Sequence, residues 1–403
     1  MAFVERSRLE QRVAMLADYD TGLFTVSALC AAYGVSRETF YVWRARRAQG
    51  APDWFCDRSH APAACPHRTP EPLAQAVLAV RRRFPHFGPK KIKAVLAREQ
   101  PETAWPAPST IGGLLARAGL VTPPPRRPRR AEAGLADTAP ALGAHDEWAC
   151  DFKGWFRTRD GVRCDPLTLT DRASRFLIAV RIVPPSAKGV RPVFEAAFRE
   201  HGLPRAIRCD NGPPFGGGGP AGLTRLSVWW LRLGIEPRFI RPGTPGDNAC
   251  HERLHRTLKD QTACPPAQSP GEQQARFEAF CVHYNGERPH EALGQDRPAD
   301  HFTPSPRRYP RTLPEPWYDP DHQVRRVRPT GEIKWGGRRV FLGEALAGEL
   351  VGLAEADEGR WIVRFCGVTL GGLDHNGRFR RLAPLRHRLH PATLPKLSGI
   401  SPV

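Results

Sequence analysis

Apolar residues between positions 28 and 47 recur three and four apart, with one interruption. Ala28, Leu29, Ala32 and Tyr33 share a helical stripe, Gly34 breaks it, and Ser36 can cap a second helix through Trp43 to Arg47. This pattern of helix, tight turn and helix predicts a first domain at 1–60. The same period returns in LAQAVLAVRRRF, GPKKIKAVLARE and STIGGLLARAGL, predicting a second helical unit over 70–122 with Ser109 as the N-cap of its last helix. The prolines of PPPRRPRR cannot continue a helix, so 123–144 reads as a linker.

From Glu147 the period changes to two. Strands are predicted at 147–153, 166–170, 176–183, 205–210 and 236–240, and helices at 187–201, 221–234, 247–260 and 270–284. Three strands in succession, then alternating helix and strand, imply a mixed sheet covered by helices. Ribonuclease-H-like cores have that order, and such a core is expected over 145–302. A Pro-rich segment at 303–320 precedes short Gly-broken strands (RRVFL, ELVGLAE, RWIVRFCG, VTLGGL). Their spacing predicts a small β-barrel over 323–385, rimmed by Arg325, Arg326, Arg328, Arg338 and Arg339, with Trp335 in its core. The expected fold class is therefore multidomain α+β: helical N-terminal domains, a central mixed α/β core and a C-terminal barrel.

Charge adds a partner to this picture. The 403 residues carry 60 Lys and Arg against 41 Asp and Glu, a formal charge of +19. The net charge is +9 over 1–144, +3 over 145–300 and +7 over 301–403. Basic flanks around a nearly balanced middle point to a polyanion gripped at both ends, since each neutralised phosphate releases a counterion. An Arg-rich composition is the plainer account of the total, though not of its distribution. The segment SALCAAYGVSRETFYVWRARR resembles a helix-turn-helix whose second helix presents Arg37, Arg44, Arg46 and Arg47 to DNA. The order of the second unit also suits a helix-turn-helix, with Lys90 and Lys91 opening its middle helix. A basic helical hairpin with no DNA role is the alternative for both.

No apolar run approaches the ~20 residues of a membrane span, and no N-terminal hydrophobic signal is visible. Ten cysteines without a CxxC pair read as reduced thiols of a cytoplasmic protein. Cys56, His60, Cys65 and His67 are zinc-type ligands, but their spacing matches no standard finger and no zinc is expected.

Three carboxylates stand out. Asp151 lies inside the apolar strand EWACDFKGWF, and Asp210 ends the strand AIRCD before an Asn-Gly turn. Glu252 lies on the helix GDNACHERLHRTLKD, where Leu254 and Leu258 face the core and Arg256 and Lys259 follow on its own face. Alone, each has a bland reading as a turn former or a solvated stripe. Together, two strand ends and a helix face are rigid places from which to hold two hard cations for phosphodiester chemistry. Asp171 reads as a turn cap, and Asp247 with Asn248 as caps of the Glu252 helix.

The strings WACDF, RCDNGPPF, RPGTPGDNACHERLHRTLK and YNGERPHEALG resemble the insertion-sequence transposases with a retroviral-integrase-type catalytic core. The resemblance implies a D,D,E triad on a ribonuclease-H-like fold, placed on Asp151, Asp210 and Glu252 as catalytic and metal-binding residues. It implies two Mg²⁺ or Mn²⁺ ions per site, with Arg256 and Lys259 steadying DNA phosphates. The gap between Asp210 and Glu252 is longer than the family's usual one, and the run GGGGPAG at 216–222 reads as a tolerated loop insertion close to the active site. The implied function is a DNA transposase that binds the terminal inverted repeats of its element, cleaves 3′ ends and joins them to target DNA. It would act as a homo-oligomer on double-stranded DNA, in a bacterial cytoplasm and at the nucleoid, without a membrane. The rivals are a domesticated DNA-binding regulator, which would lack metal-dependent strand transfer, and a ribonuclease-H-like nuclease, which would cut without joining.

Overall fold

A computed structural model describes residues 7–58, 68–121, 143–240, 249–357, 359–374 and 376–382. The linker arginines, Asp247, Asn248, and His60, Cys65 and His67 of the zinc-type cluster lie outside the described residues. The chain divides into two compact units, Met1–Pro70 and Glu71–Val403.

The first unit holds α1 (Arg8–Asp20), α2 (Val26–Tyr33) and α3 (Arg37–Ala48). Each helix starts on a hydroxyl cap: Ser7, Thr25 and Ser36 accept from the backbone amides of Glu10, Ala28 and Thr39. Gly34 closes α2 at φ 67° and ψ 34°, a left-handed conformation that glycine enters without a Cβ penalty. The core is Met15, Leu16, Leu29, Cys30, Phe40 and Trp43. Here the expected stripe needs correction: Ala28 and Ala32 are exposed, and Leu29 with Cys30 faces inward. A leucine and a cysteine remove more apolar area from water than two methyl groups do, so the short helix turns those inward.

The second unit opens with α4 (Glu71–Arg83), α5 (Pro89–Glu99) and α6 (Pro108–Arg117), packed around Val77, Ile92, Leu96, Ile111 and Leu115. Ser109 is not the N-cap of α6; Ala107 takes that position and Pro108 follows at the first helical residue. Proline's fixed φ and missing N–H suit that place.

The central sheet comprises β1 (Glu147–Phe152), β4 (Pro166–Asp171), β5 (Leu177–Ile182), β6 (Ala206–Cys209) and β7 (Glu236–Phe239). A small hairpin, β2 (Phe156–Arg157) with β3 (Arg163–Cys164), lies between the first two in sequence. The order across the sheet is β5-β4-β1-β6-β7. The first three strands pair antiparallel, while β1 pairs parallel with β6 and β6 with β7. That topology is ribonuclease-H-like. On one face, α7 (Ala187–His201) and α8 (Arg225–Arg232) bury Val190, Phe194, Phe198, Trp229 and Trp230 against Trp148, Cys150, Leu167, Leu169, Ile207 and Cys209. Alternation sends Asp151, Thr168 and Arg208 to the opposite face. There α9 (Ala249–Thr262) and α10 (Pro270–Gly286) pack Leu254, Leu258, Phe277, Phe280 and Tyr284 on Leu177 and Val180.

The C-terminal strands are β8 (Gln323–Arg326), β9 (Glu332–Trp335), β10 (Arg338–Phe341), β11 (Leu350–Asp357), β12 (Arg360–Phe365), β13 (Val368–Leu373) and β14 (Phe379–Arg381). They do not close into the expected barrel among the described residues. They form an open antiparallel sheet, β14-β13-β12-β11-β8, and a separate β9–β10 hairpin. The two edge strands are short and carry exposed arginines, a composition that blunts further pairing. The hairpin adds Ile333 and Val340 to a core with Val351, Leu353, Val363, Phe365 and Leu370. Trp335 is only half-buried, edge-on to Trp361 at 4.8 Å.

The glycine run is also not a free loop. Ala221 and Leu223 are buried in the C-terminal core, and the carbonyl of Gly218 accepts from Arg381 Nη1 at 2.7 Å. This segment is where the C-terminal sheet seats on the central α/β core. Helix α8 consequently begins at Arg225, capped by Thr224, four residues later than the sequence pattern predicts.

One buried ion cluster braces the central sheet. Glu147, 2% exposed, accepts from Arg208 Nε of β6 at 2.6 Å and from Arg238 Nη1 of β7 at 2.7 Å, and also pairs with Arg172 after β4. Burial pushes its carboxyl upward, but the Arg208 hydrogen bond, the charges of Arg208 and Arg172 and the Arg238 hydrogen bond outweigh that and hold it at about 2. A lowered folded-state value means stability that is present above the ordinary glutamate range and lost as pH falls toward 2. Glu147→Gln should cost about 3 kcal/mol in urea denaturation at neutral pH, because it leaves buried guanidinium charge uncompensated. The variant should also lose part of the wild type's acid sensitivity below pH ~4.5. An unchanged midpoint at neutral pH would show that the network does not brace the sheet.

Candidate active site

The pairing of β1 with β6 decides where the two aspartates stand. Ala149 sits opposite Arg208 in that parallel ladder, so continuing the register two residues brings Asp151 opposite Asp210, just past the end of β6. Both project from the face that α9 covers. Beneath them, Cys150 and Cys209 point the other way into the core, and burial, then the neighbouring Cys209, pushes the Cys150 thiol up.

Asp210 occupies a half-desolvated turn. The backbone amide of Gly212 donates to its carboxylate, yet burial dominates and raises its pKa. Its Oδ1 is buried with no hydrogen-bond partner. The Asn-Gly turn is held by Asn211 Nδ2, which donates to the carbonyl of Ile240 at 2.7 Å. A buried carboxylate oxygen left unpaired costs free energy unless a positive group meets it, so Asp210 fits the role of a cation ligand.

Glu252 lies exposed in the first turn of α9, where the helix dipole favours a carboxylate. The helix is anchored one residue before it and three after. His251 Nε2 and His255 Nε2 reach Thr168 Oγ1 at 3.0 and 2.8 Å, and that hydroxyl donates to the carbonyl of Asp151 at 3.0 Å. The hydroxyl has one proton to give. With that proton on the Asp151 carbonyl, both imidazoles must donate to Thr168 from Nε2, and each is neutral. Their electrostatics agree: burial holds His251 down to about 4, and burial with the nearby His251 and Lys153 holds His255 down to about 3. His255 then turns its Nδ1 lone pair toward Asp151 Oδ2, 4.0 Å away.

His251, His255, Thr168 and Lys153 were not among the residues singled out in the sequence. Lys153 lies close enough to His255 to help lower its pKa, and burial, then Lys259, lowers that of Lys153 itself. The string ACHERLHRT carried a signal, two histidines four apart on one helix face. Read alone, that spacing is an ordinary i, i+4 pair.

The three carboxylates do not already meet as a tight cluster. Among the described residues, three ligand atoms come within 4.8 Å of one another only at Asp319, Asp321 and His322, and both of those aspartates are exposed. Two ions about 3.5–4 Å apart bridge carboxylates set wider than that.

The expected DNA contacts are variously engaged. Arg37 donates to Ser27 Oγ at 2.5 Å, and Arg47 pairs with Asp20 at 2.5 Å. Arg44 lies over Tyr19 and Arg46 over Trp43, at 4.9 and 4.6 Å from the ring centroids. Lys90 pairs with Glu291 at 2.5 Å, whereas Arg256 and Lys259 are exposed on α9. Asp171 is spent on structure, accepting from the backbone amides of His145 and Ser174 at 2.7 and 2.8 Å.

Residues 233–298 match the integrase core domain family. A protein of insertion element IS476 from Xanthomonas euvesicatoria is 27% identical over 248 residues, covering 60% of this chain and 66% of its own length. A protein of insertion element IS407 from Burkholderia multivorans is 26% identical over 242 residues, covering 58% and 82%. Over these stretches the chain is similar to insertion-element proteins and to an integrase core domain. The chain spans just under two thirds of the first of these relatives. Among solved structures, the catalytic core of BIV integrase is 20% identical with a TM-score of 0.30, covering 39% of this chain and 93% of its own. The HTLV-2 integrase catalytic core in complex with magnesium is 14% identical with a TM-score of 0.32, covering 40% and 99%. Among the described residues, no helix is long and apolar enough to cross a membrane.

Thr168→Val keeps the side chain's shape and removes the hydroxyl. It should lower stability by about 1–3 kcal/mol, because His251 is then buried without a partner. It should also speed amide hydrogen exchange along α9. Unaltered exchange in α9 would mean that the hydroxyl does not anchor the helix.

Proposed function

We propose that the protein is a DNA transposase that binds the ends of its element, cleaves them at the 3′ side and transfers the new 3′ ends to target DNA. Asp151, Asp210 and Glu252 are its catalytic carboxylates and would hold two Mg²⁺ or Mn²⁺ ions. The observation that carries this reading is the pairing of β1 with β6, whose register, continued two residues, carries Asp151 toward Asp210, whose buried Oδ1 has no partner. When bound, the ions would activate the attacking oxygen and stabilise the leaving one. The chain's own part is positional. β1 and β6 present two carboxylates from one rigid sheet, and Thr168 with the two histidines holds the helix that brings Glu252. Arg256 and Lys259, one and two turns beyond Glu252, would meet substrate phosphates without being needed for ligation.

In this reading the chain is organised as two helical DNA-binding domains, the core and the C-terminal sheet. In α3, Arg37, Arg44, Arg46 and Arg47 would face DNA as the second helix of a helix-turn-helix, with Lys90 and Lys91 playing that part in α5. DNA would have to displace the Arg47–Asp20 and Lys90–Glu291 pairs, both at the surface and weak in water. Two ends must be handled together, so a homo-oligomer on double-stranded DNA is the working assembly.

Asp210→Asn should abolish both cleavage and joining of element-end DNA while leaving end binding within about twofold, since the carboxylate contributes charge at the ions and not to DNA grip. Mg²⁺ should raise the thermal midpoint of the wild type and not that of the variant. A variant that joined DNA at the wild-type rate would remove the metal assignment. Deleting residues 1–50 should cost sequence-specific end binding, and unchanged affinity would remove the helix-turn-helix assignment.

A further inference from the structure

A cluster of cations that the carboxylate site does not use gathers where the start of α5 meets the end of α10 and the loop after it. Lys91 Nζ and Arg288 Cζ lie 5.7 and 5.9 Å from the centroid of one buried ring, Phe87. Arg288 is also 5.9 Å from the Tyr284 ring, against which His290 packs at 4.8 Å between ring centroids. Two aromatic rings therefore form a floor beneath two cations and an imidazole.

These groups are poorly compensated. Arg288 Nη1 and His290 Nε2 are buried with no hydrogen-bond partner. Burial, then the charges of Arg288 and Arg253, drives Lys91 down to about 7, with Glu291 only partly opposing. Burial, then Lys91, Arg288 and Arg175, drives His290 down to about 3. The nearby acids have other partners: Glu291 is exposed and pairs with Lys90, and Glu287 sits 3.4 Å from His283 and 3.9 Å from Arg83. Like charges crowded over an apolar floor destabilise the fold unless an anion completes them.

We propose that this cradle binds a phosphate group, and specifically a phosphodiester of the DNA backbone, with Lys91 and Arg288 as charged donors and His290 as a neutral one. A planar guanidinium fork beside a point-charge ammonium matches the oxygens of a phosphate. Both residues are only half-buried, so part of each side chain stays open to a backbone although Arg288 Nη1 is buried. Arg253, exposed and adjacent to Glu252, extends the positive surface onto α9. The assignment to DNA rests on the transposase reading for the source of the phosphate; the charge cluster and its unpaired donors stand without it.

The test uses the full chain, a fluorescein-labelled duplex of arbitrary sequence and a NaCl series read by anisotropy. Lys91→Met and Arg288→Gln should each weaken binding about tenfold at low salt. The slope of log affinity against log salt should fall by about 1 in each variant. The double variant should lose no more slope than either single one, because both contacts serve one phosphate. Should Arg288→Gln unfold, Lys91→Met carries the test, since α5 keeps its buried Ile92 and Leu96. Folded variants with wild-type affinity and slope would overturn the proposal. So would inorganic phosphate raising the thermal midpoint of the wild type, but not of Lys91→Met, while duplex affinity stayed the same in both. That result would mark a free-phosphate site. Neither readout involves strand cleavage, so the result stands apart from that of Asp210→Asn.

Discussion

The parallel ladder between β1 and β6 is the constraint on which the candidate site depends. Side chains alternate across a strand, so a one-residue slip would send Asp151 or Asp210 into the apolar face with Trp148 and Ile207. Hydrophobic patterning forbids that slip, and Glu147 adds a polar lock. Its carboxylate joins arginines from β6, β7 and the turn after β4, tying three parts of the sheet to the first residue of β1. A charge buried to this degree is tolerated only with such partners, so the lock works in one register.

The third carboxylate depends on a different device. Glu252 is exposed and belongs to a helix, so no ladder places it. Its helix is held by apolar packing through Leu254 and Leu258 and by the shared hydroxyl of Thr168. Thr168 touches the backbone of Asp151 and both histidines of α9 at once, which makes it the joint between the strand bearing the first acid and the helix bearing the last. The helix can thus carry exposed Arg256 and Lys259 on its outer side without loosening the site.

Much of the core was legible in the sequence because its strands are short, apolar and bounded by turn residues. Predicted strands at 147–153 and 236–240 appear as Glu147–Phe152 and Glu236–Phe239, and helix 187–201 appears as Ala187–His201. The misreadings have local causes. Ser109 lost the cap of α6 to Ala107 because Pro108 suits the first helical position. The run at 216–222 looked like an exposed insertion because glycine has no side chain to reveal burial, yet Ala221 and Leu223 complete a hydrophobic core. The expected barrel failed because strand spacing records how many strands exist and not whether the last pairs with the first.

From the sequence alone came the elements, the three acids and the resemblance that links them, all local or motif-like properties. Only the tertiary structure decided that β1 pairs with β6 in the register that leads from Ala149 and Arg208 toward Asp151 and Asp210, that Asp210 keeps a buried oxygen unpaired, and that His251 and His255 converge on Thr168. It alone also brought Lys91 and Arg288 over one ring. The reason is physical: periodicity reports which face of an element avoids water, whereas desolvation and charge balance depend on what other elements bring to that face.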